Sequence, residues 1–167
     1  MITRAKCKLT IQASLAILLL FCTCATAQNP ARPAAKNSPA SKKRGFETYH
    51  AGPWEQEIGY SQAVRAGNML YVSGTVGADA KGQPADLDGQ MKRAYAAIQK
   101  TLAHHNTDFS HVVMERIYTT DIEALIRSQP TRKQFYGESL PAATWVEVRR
   151  LYGAADKIEN EVQVALD

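Results

Sequence analysis

The spacing of apolar residues changes period several times between residues 45 and 167, and each change marks an element. Ser61 to Val64 and Met69 to Ser73 read as two short strands, joined at the turn-forming triplet Ala66-Gly67-Asn68. Gly52-Pro53-Trp54-Glu55 reads as a turn into the first of them, and Thr75 to Pro84, with Gly77, Asp79 and Gly82, as a loop. Asp86 or Asp88 caps a helix running to about His104, because Leu87, Met91, Ala94, Ile98 and Leu102 recur on one helical face. Val112 to Thr119 is a strand rich in β-branched and aromatic residues, and Asp121 to Arg127 a connection. Pro130 would break a helix interior but fits the first turn of a helix capped by Ser128, which runs to about Gly137 or Glu138 and offers Phe135 and Tyr136 for burial. Trp145 to Leu151 and Glu161 to Leu166 are the final strands. The order β-β-α-β-α-β-β predicts an α/β (α+β) domain: a mixed sheet with two helices on one face.

The first 44 residues follow other rules. Arg4, Lys6 and Lys8 precede a short apolar run from Leu15 to Phe21, and Ala25-Thr26-Ala27 is a small-x-small cleavage pattern. This is the plan of a secretory signal peptide, residues 1–27, cut after Ala27; the run is too short for a stable membrane anchor. Residues 28–44 are rich in Pro, Ala, Ser and Lys, with no aromatic or large aliphatic side chain, and are expected to be a disordered basic linker. The expected location is therefore periplasmic or secreted. Cys7, Cys22 and Cys24 all fall in the leader, so the mature chain would have neither a disulfide nor a thiol nucleophile. The whole chain carries a net charge of +4, but residues 45–167 hold 12 of its 20 cations and all 16 acids, a net of −4. An acidic body argues against a nucleic-acid surface.

Two stretches carry a family pattern. The first is Gly59-Tyr60-Ser61-Gln62-Ala63-Val64-Arg65-Ala66-Gly67-Asn68-Met69-Leu70-Tyr71-Val72-Ser73-Gly74, and the second Leu140-Pro141-Ala142-Ala143-Thr144-Trp145-Val146-Glu147-Val148. They resemble the reactive intermediate deaminase family (RidA/YjgF), whose pattern is G-P-Y-S-Q-A-V-x-x-G-N-x-L-x-x-S-G, then P-A-R-[SC]-x-V-E-V, then a closing V-E-I-E-A. The resemblance implies a chorismate-mutase-like fold, a homotrimer with clefts between subunits, and hydrolysis of enamines or imines to a ketone and ammonia without cofactor or metal. It also implies roles. Glu161, in Asn160-Glu161-Val162-Gln163, would stand for the first closing glutamate, which positions water; the second would be Gln163. Tyr60 would line the cleft, although Ile58-Gly59 replaces the proline before it, and Ser73 and Gly74 would face the ligand.

One position departs sharply. Ala143 stands where the family has the arginine that holds the substrate carboxylate, and gap-free spacing from Asp121 fixes that register. Losing a bidentate charged contact costs about 2–5 kcal/mol, or roughly 30- to several-thousand-fold in affinity. Trp145, on the same strand face, stands where the family has a small residue, which suggests a pocket rebuilt from ionic to apolar. Arg132, in the helix upstream, is a poor substitute. Each residue also has a plainer reading: Glu161 as a solvent-facing acid, Tyr60 as a packing side chain, Ser73-Gly74 as a turn, Trp145 as core. His104, His105 and His111 fit a solvated helix end better than a metal site. Three functions follow in order of support: an exported enamine/imine deaminase with a less ionic pocket, a non-catalytic small-molecule binding module using the same cleft, and a ribonuclease.

Overall fold

The structure, a computed structural model, describes residues 45–167; the expected signal peptide and linker lie outside them. Six strands form one sheet: β1 (Phe46–Tyr49), β2 (Ala63–Ala66), β3 (Met69–Val76), β4 (Val112–Thr119), β5 (Ala142–Glu147) and β6 (Ile158–Ala165). Their order is β1-β2-β3-β6-β4-β5. Only β4 and β5 run parallel. The helices are α1 (Trp54–Ile58), α2 (Leu87–His104), α3 (Ile122–Arg127) and α4 (Gln129–Tyr136). Among the described residues, no helix is long and apolar enough to cross a membrane.

Helix α2 starts at Asp86, whose carboxylate accepts from the Gly89 amide at 2.7 Å. Its Leu87, Met91, Tyr95, Ile98 and Leu102 are buried against Leu70 and Val72 of β3, Ile117 of β4, and Ile158, Val162 and Val164 of β6. Each such side chain contributes about 1.5–3 kcal/mol of transfer free energy, so this layer dominates the fold. Helices α3 and α4 join α2 over the same side of the sheet, and α3 also meets β5. Two helices were expected there. The third, α3, was expected to be a plain connection; Asp121 caps it, accepting from the Ala124 amide at 2.8 Å.

Beneath α2 and α4 lies a buried ionic knot. Glu115, fully buried, accepts from Tyr95 Oη at 2.6 Å, Tyr136 Oη at 2.9 Å and Arg132 Nε at 2.7 Å. Burial first, and then the Glu115 charge, push both tyrosine hydroxyls far above their ordinary value, so they remain donors.

Four other elements differ from expectation. Residues 46–49 already form a strand, and Trp54–Ile58 is a helix where a turn was expected. Strand β5 starts at Ala142 rather than Trp145 and ends at Glu147, whose carboxylate accepts from the Ile122 amide at 2.9 Å. Strand β6 starts at Ile158, three residues before Glu161, because polar Glu159 and Asn160 pair with β3 and β4 despite their poor strand propensity.

Candidate functional site

Strand β6 sits at the centre of the sheet and its side chains alternate. Ile158, Asn160, Val162 and Val164 enter the helix layer, whereas Glu159, Glu161 and Gln163 emerge on the face without helices. Glu159 is the acid nearest the start of the strand. Its sheet partner on β3 is Val76, just past a β-bulge: two residues lie between Val72 and Thr75 where β6 has one between Val162 and Asn160. The bulge holds Ser73 and Gly74. A Cβ on Gly74 would collide with Glu159 Oε1, so only glycine lets this carboxylate lie over the strand.

Tyr60 reaches the same place from α1. Gly59 ends that helix in the left-handed region at φ 98°, and the amides of Gly59 and Tyr60 both donate to the Glu55 carbonyl. The buried Glu55 side chain accepts from the amides of Ala51 and Gln62 at 3.1 and 3.2 Å, tying the helix to the next strand. Tyr60, Ser73, Gly74 and Glu159, with Ile58, Val76 and Tyr152, line one pocket of about 310 Å³. The Ser73 hydroxyl donates to the Ser61 carbonyl at 2.6 Å, which leaves its oxygen to face the pocket as an acceptor. Burial, and then the negative charges of Asp156 and Glu161, hold the Glu159 carboxyl above its ordinary value. Burial, and then the Glu55 charge, raise the Tyr60 hydroxyl, which therefore stays a phenol and a proton donor. The arrangement offers a half-buried carboxylate suited to proton transfer, a phenol donor and an apolar wall.

The structure thus brings Tyr60, Ser73 and Gly74 together and adds Glu159, but it does not bring Glu161 to them. Glu161 sits two residues along the same face and is ion-paired with Arg116 at 2.5 Å. The signal for Glu159 was present in the chain: Ile158-Glu159-Asn160-Glu161-Val162 supplies both acids of a V-E-I-E-A pattern, whereas the register on Glu161 supplies one. The late start expected for β6 hid it.

Ala143 and Trp145 also lie elsewhere within the chain. They occupy the helix-side face of β5, where Ala143 pairs with Glu115 and Trp145 packs against the core. The Arg132 guanidinium stands 5.5 Å from the Trp145 ring, and the indole Nε1 is buried without a hydrogen-bond partner. Pocket and tryptophan are therefore on opposite faces of one sheet. His104 stacks on Tyr49 with ring centroids 4.0 Å apart, and His111 bonds Asp108 at 3.2 Å; among the described residues no group of three His, Cys, Asp or Glu could hold a metal ion.

Residues 54–166 match the family model described as Endoribonuclease L-PSP, two thirds of the chain and nearly all of the described domain. The chain belongs to the RidA/YjgF family. A bovine relative, 2-iminobutanoate/2-iminopropanoate deaminase, is 33% identical over 95 residues, 55% of this chain and 69% of its own. Protein DfrA of Myxococcus xanthus is 32% identical over 116 residues, 66% of this chain and 88% of its own. Among solved structures, a YjgF-family member from Mycobacterium tuberculosis is 29% identical at a TM-score of 0.66, covering 72% of this chain and 99% of that one. The sheet and its helix layer are those of the RidA/YjgF fold, and imine deaminases are among the family's members.

Proposed function

We propose that this RidA/YjgF protein is an exported deaminase that hydrolyses an imine or enamine to a carbonyl compound and ammonia, in a pocket that lacks the family's carboxylate anchor. The observation that carries the reading is Glu159, a half-buried carboxylate held above its ordinary value, with the Tyr60 phenol lining the same pocket. Glu159 takes a proton from water as the oxygen attacks the imine carbon, giving a carbinolamine. The same carboxyl returns the proton to nitrogen, the C–N bond breaks, and ammonia leaves. Tyr60 donates to the nitrogen or the new oxygen. A carboxylate doing both transfers contributes typically about 10²–10⁴-fold.

Assembly as a homotrimer is part of the proposal. The helix-free sheet face exposes Tyr71, Val76 and Val146, apolar surface of the kind that protein contacts cover. In the trimer the cleft would lie between subunits, and Ala143, exposed on the edge strand β5, would border the pocket of the next copy. Export rests on the leader pattern alone.

The test is ammonia release from freshly generated 2-iminobutanoate or 2-aminoacrylate. Glu159→Gln is expected to abolish acceleration, Glu161→Gln to retain most of it, and Ala143→Arg to raise the rate on these carboxylate substrates. Rates equal to buffer with the parent protein and with Ala143→Arg would sink the deaminase reading for these substrates. The absent arginine favours a second reading, a binding module that holds an apolar molecule without turnover. In that case ligand binds and no ammonia appears.

A further inference from the structure

The pocket's charge is of one sign. Among the described residues Glu159 is its only carboxylate, and Asp156 and Glu161 lie close enough to disfavour its charged form. Among the described residues no lysine or arginine lines it. Neighbouring cations have partners: Glu161 holds Arg116, and Arg150 donates to the Tyr152 carbonyl at 3.2 Å, while Arg132 is held by Glu115 on the other face of the sheet. Asp156 is fixed in turn, its Oδ2 accepting from the Gly153 amide at 2.8 Å.

The rest of the wall is apolar or aromatic. Ile58 is 57% exposed and Tyr152 81%, both at the pocket, with the Tyr60 ring and Val76 completing it. A cavity of about 150 Å³ accepts a benzene ring, and this one is about 310 Å³. Aromatic faces beside a carboxylate attract an organic cation twice over, through the ring quadrupoles and through the charge. They repel a carboxylate.

We propose that the pocket takes the imine of an arylalkyl- or alkylamine, bound as the iminium cation and bearing no carboxylate, in preference to an imino acid. This rests on the deaminase reading above for its turnover, though not for its binding preference. The chemistry balances: R–CH=NH₂⁺ and water give R–CHO and ammonium. Glu159 takes the proton from water and returns it to nitrogen, and no oxidant is consumed. Protonation makes the imine carbon more electrophilic, so the carboxylate that attracts the iminium also favours its reactive form. The reaction that supplies such a substrate is a two-electron oxidation of a primary amine.

The experiment compares ligands that share a phenyl ring. The full mature chain is titrated calorimetrically with 2-phenylethylammonium and with 3-phenylpropanoate. A charge within contact range of a partly buried carboxylate makes about a tenfold or larger preference for the cation. That preference is expected to collapse in Glu159→Gln and to fall several-fold in Tyr152→Ala, a change at an exposed position that leaves folding intact. Turnover is then followed by ammonia release from imines made in situ, by an amine oxidase acting on 2-phenylethylamine and an amino-acid oxidase acting on phenylalanine. Faster hydrolysis of the amine-derived imine supports the proposal. Faster hydrolysis of the phenylalanine-derived imine overturns it and leaves the deaminase reading standing. Cation binding that depends on Glu159, with neither imine accelerated, overturns the deaminase reading while the ligand class holds. Equal affinity for both probes, or none for either, overturns the ligand class.

Discussion

Arg132→Met tests the buried knot under α4. The substitution keeps most of the aliphatic stem and removes the guanidinium from a site where Arg132 is 7% exposed and its partner Glu115 fully buried. Glu115 then keeps two phenol donors but loses its counter-charge. Breaking a buried pair from one side costs about 3–5 kcal/mol, and loss of the cation over the Tyr136 ring, 4.7 Å from its centroid, adds about 0.5–2 kcal/mol. Domains of this size have roughly 5–15 kcal/mol in hand, so the variant should fold but melt about 10–20 °C lower. Urea unfolding followed by circular dichroism and tryptophan fluorescence, at fixed protomer concentration, measures it; an unchanged slope confirms that stability alone moved. The companion Glu115→Leu leaves Arg132 uncompensated and two tyrosine hydroxyls without an acceptor, so it is also costly. The double variant should cost about 2–3 kcal/mol less than the sum of the singles. A single-variant loss under about 1 kcal/mol, or strict additivity, would refute the claim that Glu115 and Arg132 act as one buried unit.

Other outcomes follow from the pocket and the core. Gly74→Ala should fold with little loss, because the colliding atom is the end of a flexible side chain, yet lose nearly all turnover as Glu159 is expelled; retained activity would separate Glu159 from the chemistry. Because Glu159 must be ionised to accept a proton and its carboxyl sits above the ordinary range, kcat/KM should fall on the acid side at a pH higher than a free glutamate would give. Glu161→Gln removes one of the raising charges and should move that limb to lower pH, by less than burial alone displaces it; an unmoved limb means another group sets it. Asn160 is fully buried with neither amide atom hydrogen-bonded, so Asn160→Val should raise stability by about 1–2 kcal/mol, and a loss of that size in thermal unfolding would show the amide to be satisfied by water.

The hydrophobic alternation was enough to place α2, β4 and the hairpin of β2 and β3, because Leu87 to Leu102 and Val112 to Thr119 follow one period throughout. It failed where tertiary context overrides propensity. Glu159 and Asn160 look like a loop, yet they open the central strand, because β3 and β4 flank them and satisfy the backbone. The same miss moved the expected acid from Glu159 to Glu161. Tyr60, Ser73 and Gly74 were legible from their motif, but the bulge that makes Gly74 necessary depends on pairing with β6, whose Glu159 is 85 residues further along the chain. Trp145 was read as beside the ligand because Ala143 shares its face; which face that is depends on the helices above it.

The central position of β6 has a kinetic consequence. It comes after every other strand in sequence, yet it lies between β3 and β4 and supplies both with their partner. Until it arrives, β3 and β4 each present an unpaired edge, and the two halves of the sheet have nothing to join them. Closure therefore waits on contacts of long sequence separation, the class that slows folding. The strand that closes the sheet also carries Glu159, so under the proposed mechanism a shortened chain lacking it would be inactive, however well its hairpin forms. Folding and the proposed chemistry would appear together, in one late step.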